Sequence, residues 1–290
     1  MSDVTAEVAV TVPQLKAEPT RWSLLLRRPT FLIGAAIVLF WIVCAVFGHR
    51  IASYSPLAQQ LLSTNAAPSA AHWFGTDNIG RDVLARVIVG SREILIVTPL
   101  ATLLGTVLGT VLGLAMGYFS GLLDLLVSRV LEAVLALPAV IIAFLFIVAL
   151  GPSVPTLIIV IGLIFTPLIA RTVRSSVLTE RHLDYIASAR LLGENPARIM
   201  YAEILPNVMP AILVEFTVRL GYAVFAVATL SFLGFGVQPP TPDWGSDIAA
   251  NYGVLAAGYW WETLFPALAI ASLIVAVNLI TDSLEQVMSA

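Results

Sequence analysis

The stretch 186-IASARLLGENPARIMYAEILPN-207 is polar and punctuated by a glycine, two asparagines and two prolines, and it sits between segments that prefer lipid to water. Its surroundings define the fold class. Of 290 residues, 59% are hydrophobic and 11% charged, with a mean hydropathy of +0.94. Soluble domains carry roughly a quarter charged residues, so this composition belongs to an integral membrane protein. Six apolar runs are legible, at 30–48, 94–118, 133–151, 154–170, 216–236 and 263–281. Each approaches the ~20 residues that cross ~30 Å of hydrocarbon as a helix. The runs are too long and too continuously apolar for barrel strands, which leaves an all-α, polytopic chain with six transmembrane helices.

Basic residues orient it. If the N-terminus is cytoplasmic, ten fall on the inner side (Lys16, Arg21, Arg27, Arg28, Arg129, Arg171, Arg174, Arg181, Arg190 and Arg198), against four outside (Arg50, Arg81, Arg86 and Arg92). The positive-inside rule then predicts that both termini are cytoplasmic. The chain divides into a tail 1–29, an anchor helix 30–48, an extracytoplasmic segment 49–93, a transmembrane body 94–281 and a tail 282–290. No small-residue cleavage pattern follows the first run, so it reads as a retained anchor. Cys44, the one cysteine, has no partner for an internal disulfide.

The polar stretch belongs to a cytoplasmic loop, 171–207, too long for a plain helix connection. Helix-forming residues from Thr179 to Leu192 place Leu183, Ile186, Ala187 and Leu191 on one face, and Gly193 stands where a helix C-terminal glycine belongs. Asn195 and Pro196 fit a cap and first helical position, which predicts a second short helix to about Ile204 that Pro206 stops. Two readings fit this elbow. It is an interfacial helix pair resting on headgroups, or it is a docking knob whose small residues Ala187, Ser188 and Ala189 let a soluble partner approach closely, with Arg190 beside them.

Elsewhere, Gly105, Gly109, Gly113 and Gly117 recur every four residues and form a face that admits another helix backbone. Asp77 with Arg81 and Asp82 with Arg86 are spaced as i, i+4 pairs of a surface helix. Pro239, Pro240 and Pro242 forbid regular structure after the fifth run. Trp244, Tyr252, Tyr259, Trp260 and Trp261 then read as an interfacial aromatic belt or as ligand-stacking groups. Glu215 and Arg219 are spaced to pair at the start of the fifth helix.

These residues carry a resemblance. ASARLLG followed by ENPARIMYA and EILP resembles the coupling-loop pattern of bacterial ABC importer permeases: EAA, three residues, Gly, nine residues, then I-x-L-P. Ala187, Ser188, Ala189, Gly193, Leu205 and Pro206 fall on its positions. Ala187 stands where the pattern has an acid, and Glu203 where it has isoleucine. HWFGTDNIGRDVLARVIVGSR, 72–92, and LSFLGFGVQPPTPDWG, 230–245, are similar to the C-type permease of dipeptide and oligopeptide importers. The resemblance implies a type I ABC importer permease fold in the bacterial plasma membrane, with peptide as cargo. It also implies a homologous second permease, two ATP-binding subunits or one fused ATPase that bind ATP and Mg, and an extracytoplasmic binding protein that meets the rim. A nickel or other small-solute importer shares these motifs.

Other classes lose support. The only lysine, Lys16, lacks preceding glycines, so no P-loop exists and this chain has no ATP site of its own. His49, His72 and His182 are scattered without metal or catalytic spacing, which predicts no metal and no catalytic residues. The runs hold almost no titratable groups for ion coupling, which argues against a secondary transporter. Nothing resembles a basic, aromatic-laced nucleic-acid surface. A membrane scaffold without transport is the remaining alternative.

Overall fold

In the computed structural model, residues 25–288 are described. Most of the tail 1–29, with Lys16 and Arg21, lies outside the described residues. Nine helices are found among the described residues: α1 Pro29–Ile51, α2 Val83–Phe119, α3 Gly121–Leu135, α4 Ala139–Leu150, α5 Val154–Glu180, α6 Asp184–Leu191, α7 Pro196–Phe232, α8 Trp244–Asn251 and α9 Trp261–Met288. Among the described residues there is no strand, only an isolated bridge between Thr76 and Asp82. Among the described residues five helices are long and apolar enough to cross a membrane, and the pair α3 and α4, bent by 88°, makes a sixth candidate if it counts as one broken span.

The helices outrun the apolar runs. Hydropathy reports where lipid begins, whereas a helix continues through any residues that tolerate its dihedrals. Thus α2 starts at Val83 rather than Ile94, because the Asp82 carboxylate accepts the Ala85 N–H at 2.7 Å and caps it. Likewise α5 runs past Ala170 to Glu180, and α9 continues through most of the predicted tail 282–290. The third run, 133–151, is not one helix. The first part ends at Leu135, and Pro138, with φ −57° and ψ 126°, leaves the helical region, so the chain turns before α4 begins at Ala139.

The core is the pair α2 and α5. A Cβ on Gly105 would lie 2.8 Å from the Gly162 carbonyl oxygen, and one on Gly109 would lie 2.7 Å from the Ile169 Cβ. Gly113 and Gly117 face Val173 and Val177 just as closely. The glycine face therefore points at α5, with backbone against side-chain stems. Buried threonines on α2 return their hydroxyls to their own helix: Thr102 to the Thr98 carbonyl and Thr106 to the Thr102 carbonyl, each at 2.8 Å. No polar atom of these threonines then needs a partner across the interface.

Around this pair pack α1, α7 and α9. On α1 the buried residues Gly34, Trp41, Cys44 and Gly48 form one stripe. A Cβ on Gly34 would meet the Ala276 oxygen of α9 at 2.6 Å, and the Trp41 indole donates to Ser272 at 2.9 Å. The expected pair of Glu215 and Arg219 forms on α7, with Arg219 Nε 2.6 Å from the carboxylate.

Gly109→Leu adds four carbons where Ile169 already stands. The purified chain is expected to lose about 1–3 kcal/mol. Val107→Leu, on the exposed side of α2, should stay within about 0.5 kcal/mol. Thermal unfolding in detergent measures both, and equal midpoints would refute the glycine interface.

Candidate functional site

The elbow forms one end of the molecule. Helix α5 stops at Glu180, three residues turn, and α6 follows from Asp184, so the predicted continuous helix from Thr179 is broken. Gly193 takes φ +76°. Its N–H bonds to the Arg190 carbonyl at 3.0 Å, and the Glu194 N–H bonds to the Ala189 carbonyl at 3.1 Å. These two bonds are the Schellman pair that ends a helix on a left-handed residue. Asn195 then accepts the Ala197 N–H at 2.9 Å, with Pro196 in the first turn of α7.

Pro206 does not stop that helix. Between Ile199 and Ile204 the backbone widens into a π turn, and the Leu205 N–H reaches the Met200 carbonyl five residues back. A proline lacks a donor and crowds the carbonyl four residues before it. Bonding shifted to the fifth residue relieves that conflict, so α7 continues unbroken through Leu205 and Pro206.

The elbow's faces also differ from the expected ones. Ile186 and Ala189 point inward, buried in the cluster that holds Ile199 and Ile204, and Ala189 is only 9% exposed. Ala187 and Ser188 are exposed. Leu191 and Leu192 stand out at 88% and 81% exposure, with Leu183 half-exposed. The knob therefore presents leucines around Ala187 and Ser188, not the alanine cleft centred on Ala189.

Three contacts strap the knob to its neighbours. Arg190 lies over the Tyr118 ring at 4.9 Å, and Arg181 donates to the Gly117 carbonyl at 3.0 Å. Both tie the elbow to the end of α2. The Tyr185 hydroxyl donates to Glu180 and accepts from Asn207 at 2.9 Å, joining α5, α6 and α7. Burial, then the Glu180 carboxylate, pushes the Tyr185 phenol up to about 12, so it remains a donor at neutral pH. No motif singled out Tyr185, since its partners lie at opposite ends of the elbow.

The rim forms the other end. Asp77 pairs with Arg81 as expected, Nε to Oδ2 at 2.6 Å, but in a tight turn rather than on a surface helix. Asp77 also accepts the N–H groups of Ile79 and Arg81 at 3.0 and 2.8 Å. Asp82 and Arg86 do not pair with each other. Asp82 takes His72 Nδ1 at 2.8 Å. Arg86 takes Asp247 of α8, with Nε to Oδ1 at 2.9 Å, and the carbonyl of Pro56 at 3.2 Å. The capping geometry of Asp82 aims its carboxylate back at the first turn, away from Arg86.

Trp244 and Trp261 are not belt residues. Trp244 is 1% exposed, donates to the Val87 carbonyl at 2.8 Å and meets the Trp41 ring edge-on at 4.7 Å. Trp261 donates to the Thr76 carbonyl at 3.1 Å. Tyr252 and Trp260 remain exposed. The turns carrying Pro239, Pro240 and Pro242 are irregular as expected, and they bring the Pro240 carbonyl to Arg86 at 3.5 Å.

Asp247 is the rim residue that sequence reading missed, 161 positions from its partner. One of its oxygens holds both Arg86 donors, and the other has no partner among the described residues. Burial lifts Asp247 to about 6 against the opposing pull of Arg86. Burial also raises Asp243, which caps α8 by accepting the Ser246 N–H at 2.9 Å.

Residues 109–290 match the family described as binding-protein-dependent transport system inner membrane component, and residues 20–68 match the N-terminal TM domain of oligopeptide transport permease C. The dipeptide transport system permease protein DppC of Bacillus subtilis (strain 168) is 35% identical over 279 residues, covering 96% of this chain and 87% of that protein. The protein of the same name from Escherichia coli (strain K12) is 37% identical over 294 residues, 98% and 97% of the two chains. That from Alkalihalophilus pseudofirmus is 34% identical over 254 residues, 88% and 83%.

The rim carries a pH dependence. A carboxyl held at about 6 when folded, above its usual 3.8, contributes stability that is complete below about 3.8 and lost as pH rises through about 6. Lowering pH from about 7 to about 5 is therefore expected to raise the thermal midpoint, and Asp247→Asn to flatten that response. Arg86→Gln should cost about 3–5 kcal/mol by stranding a buried carboxylate. An Asp247→Asn chain with the unaltered pH response would refute the assignment.

Proposed function

Because the chain belongs to the family of binding-protein-dependent transport system inner membrane components, we propose that it is the half-channel of an ATP-driven importer for short peptides. It is a multi-pass permease of the bacterial plasma membrane, of the ABC importer type. Its relatives are named for dipeptides, which favours peptide cargo over nickel. A homologous second permease completes the pathway, separate or fused ATPase subunits bind ATP and Mg, and an extracytoplasmic protein delivers cargo to the rim. The elbow and both termini face the cytoplasm, in line with the ten-to-four basic count.

The observation that carries this reading is the pair of leucines at the tip of the elbow, Leu191 and Leu192. A side chain of this size yields about 1.5–3 kcal/mol when buried. The elbow's inner face is already satisfied by Ile186 and Ala189, so the outward leucines await a partner. ATPase closure presses on this knob and moves α7, which starts at the elbow and ends below the rim. The pathway between the two permeases then alternates between inward-open and outward-open.

Leu191→Asp is expected to weaken ATPase co-purification about 10–100-fold, the affinity equivalent of one lost leucine, and to reduce peptide uptake in step. On a headgroup surface the change would leave ATPase recovery intact, and that result would reject the docking role. Ala189→Arg tests the chain's own core instead. Gly193→Val costs backbone strain of about 1–2 kcal/mol at a left-handed position with open space around it, and Gly193→Asn should be better tolerated. For orientation, Ala67→Cys should react with an impermeant thiol reagent in intact cells and Ser188→Cys should not. Reversed labelling would overturn the topology.

A further inference from the structure

Three voids between the helices lie next to one another and share lining residues. At the rim, a cavity of about 200 Å³ is lined by His49, Pro56, Arg92, Glu93 and Pro240 among others. It shares His49 and Arg92 with a groove of about 470 Å³ between α1 and α2, whose other walls are Ile42, Ala45, Val46, Leu95 and Ile96. That groove shares Ile42 and Leu95 with a third void of about 190 Å³, bounded by Val38, Leu220, Val224, Leu273 and Val277. Thr98 also borders the third void, but its hydroxyl is spent on the Ile94 carbonyl. The track is therefore charged at the rim and apolar for the rest of its length.

Its dimensions and charges suit one class of molecule. Val38 and His49 are separated along α1 by roughly 16 Å at about 1.5 Å per residue, half of the ~30 Å hydrocarbon core. Arg92 and His49 are exposed, and neither forms an ion pair among the described residues. They stand where α1 ends and where the apolar run of α2 begins, the place on an apolar helix at which Arg and aromatic side chains meet headgroups.

We propose that this track seats one phospholipid. The acyl chain lies between α1 and α2 and reaches the void by Val38, and the phosphate sits at Arg92 and His49. The Glu93 carboxylate in the rim cavity disfavours a second negative charge and complements an ammonium. The occupant is accordingly an ethanolamine phospholipid rather than an anionic glycerol one.

The test uses the full-length chain with its co-purifying subunits, extracted in mild detergent, depleted of lipid and exposed to vesicles. The vesicles contain phosphatidylcholine alone or mixed with phosphatidylethanolamine or phosphatidylglycerol. Native mass spectrometry then counts retained lipid. Wild type should keep one phosphatidylethanolamine per chain. Arg92→Gln, on an exposed side chain with no hydrogen bond or ion pair among the described residues, should cut retention roughly fivefold, the effect of one cation near a lipid headgroup. Ala45→Phe should cut it by filling the groove, while Val107→Leu, facing lipid elsewhere, should not. Three results would each overturn the proposal: equal retention by wild type, Arg92→Gln and Ala45→Phe; preference for phosphatidylglycerol; or displacement by inorganic phosphate alone.

Discussion

The near-contact of the α2 backbone with the side-chain stems of α5 governs the rest of the structure. Inside a bilayer, lipid tails are as apolar as leucine, so helices gain little by hiding apolar surface from them. What remains is close packing, which strengthens with every atom brought to contact distance. Four glycines at every fourth position on α2 let Ile169, Val173 and Val177 reach that distance. Threonines that bond to their own helix keep polar demands off the interface. Each functional end then attaches to this pair. The rim is built on the capped start of α2, and the elbow is strapped to its far end through the Gly117 carbonyl and the Tyr118 ring.

The two ends are held by different physics. At the rim, charged groups are buried and matched, Arg86 with Asp247 across distant segments and Arg81 with Asp77 within one tight turn, beside the indoles of Trp244 and Trp261. Separating any such pair strands a charge, which makes the rim costly to deform. The elbow is held by its helix-ending turn, the Tyr185 bridge, the Arg181 and Arg190 straps to the end of α2 and a small apolar anchor in Ile186 and Ala189. It offers its leucines outward. Between the ends runs α7, whose π turn at Ile199–Ile204 lies beside the elbow. A force on the knob thus meets a helix whose hydrogen bonding already departs from the regular pattern, and π turns of this kind recur at functional sites.

Several local features were legible in the residues. Gly193, Asn195 and Pro196 specified a helix end and a helix start, and both formed, because such caps depend on side chains within a few positions of one another. The apolar runs marked the spans, and the four-residue glycine period marked a packing face. Longer-range features were not legible. The i, i+4 spacing of Asp82 and Arg86 suggested a pair, yet helix capping turned Asp82 away and a helix from the far end of the chain supplied Asp247. Aromatic residues after a prolines-and-glycines exit suggested a belt, yet Trp244 and Trp261 found buried carbonyl acceptors.

By itself the sequence determined membrane residence, helical class, the turn at the elbow and the presence of a glycine face. All of these follow from composition, periodicity or contacts between near neighbours. Tertiary structure alone decided that α5 fills the glycine face, that Arg86 meets Asp247, that Ala189 points inward while Leu191 and Leu192 point out, and that α7 runs through Pro206. A short polar helix carries apolar residues on more than one side. Which side is buried depends on where α7 lies beneath it, and that position is set by packing between helices rather than by the helix's own residues.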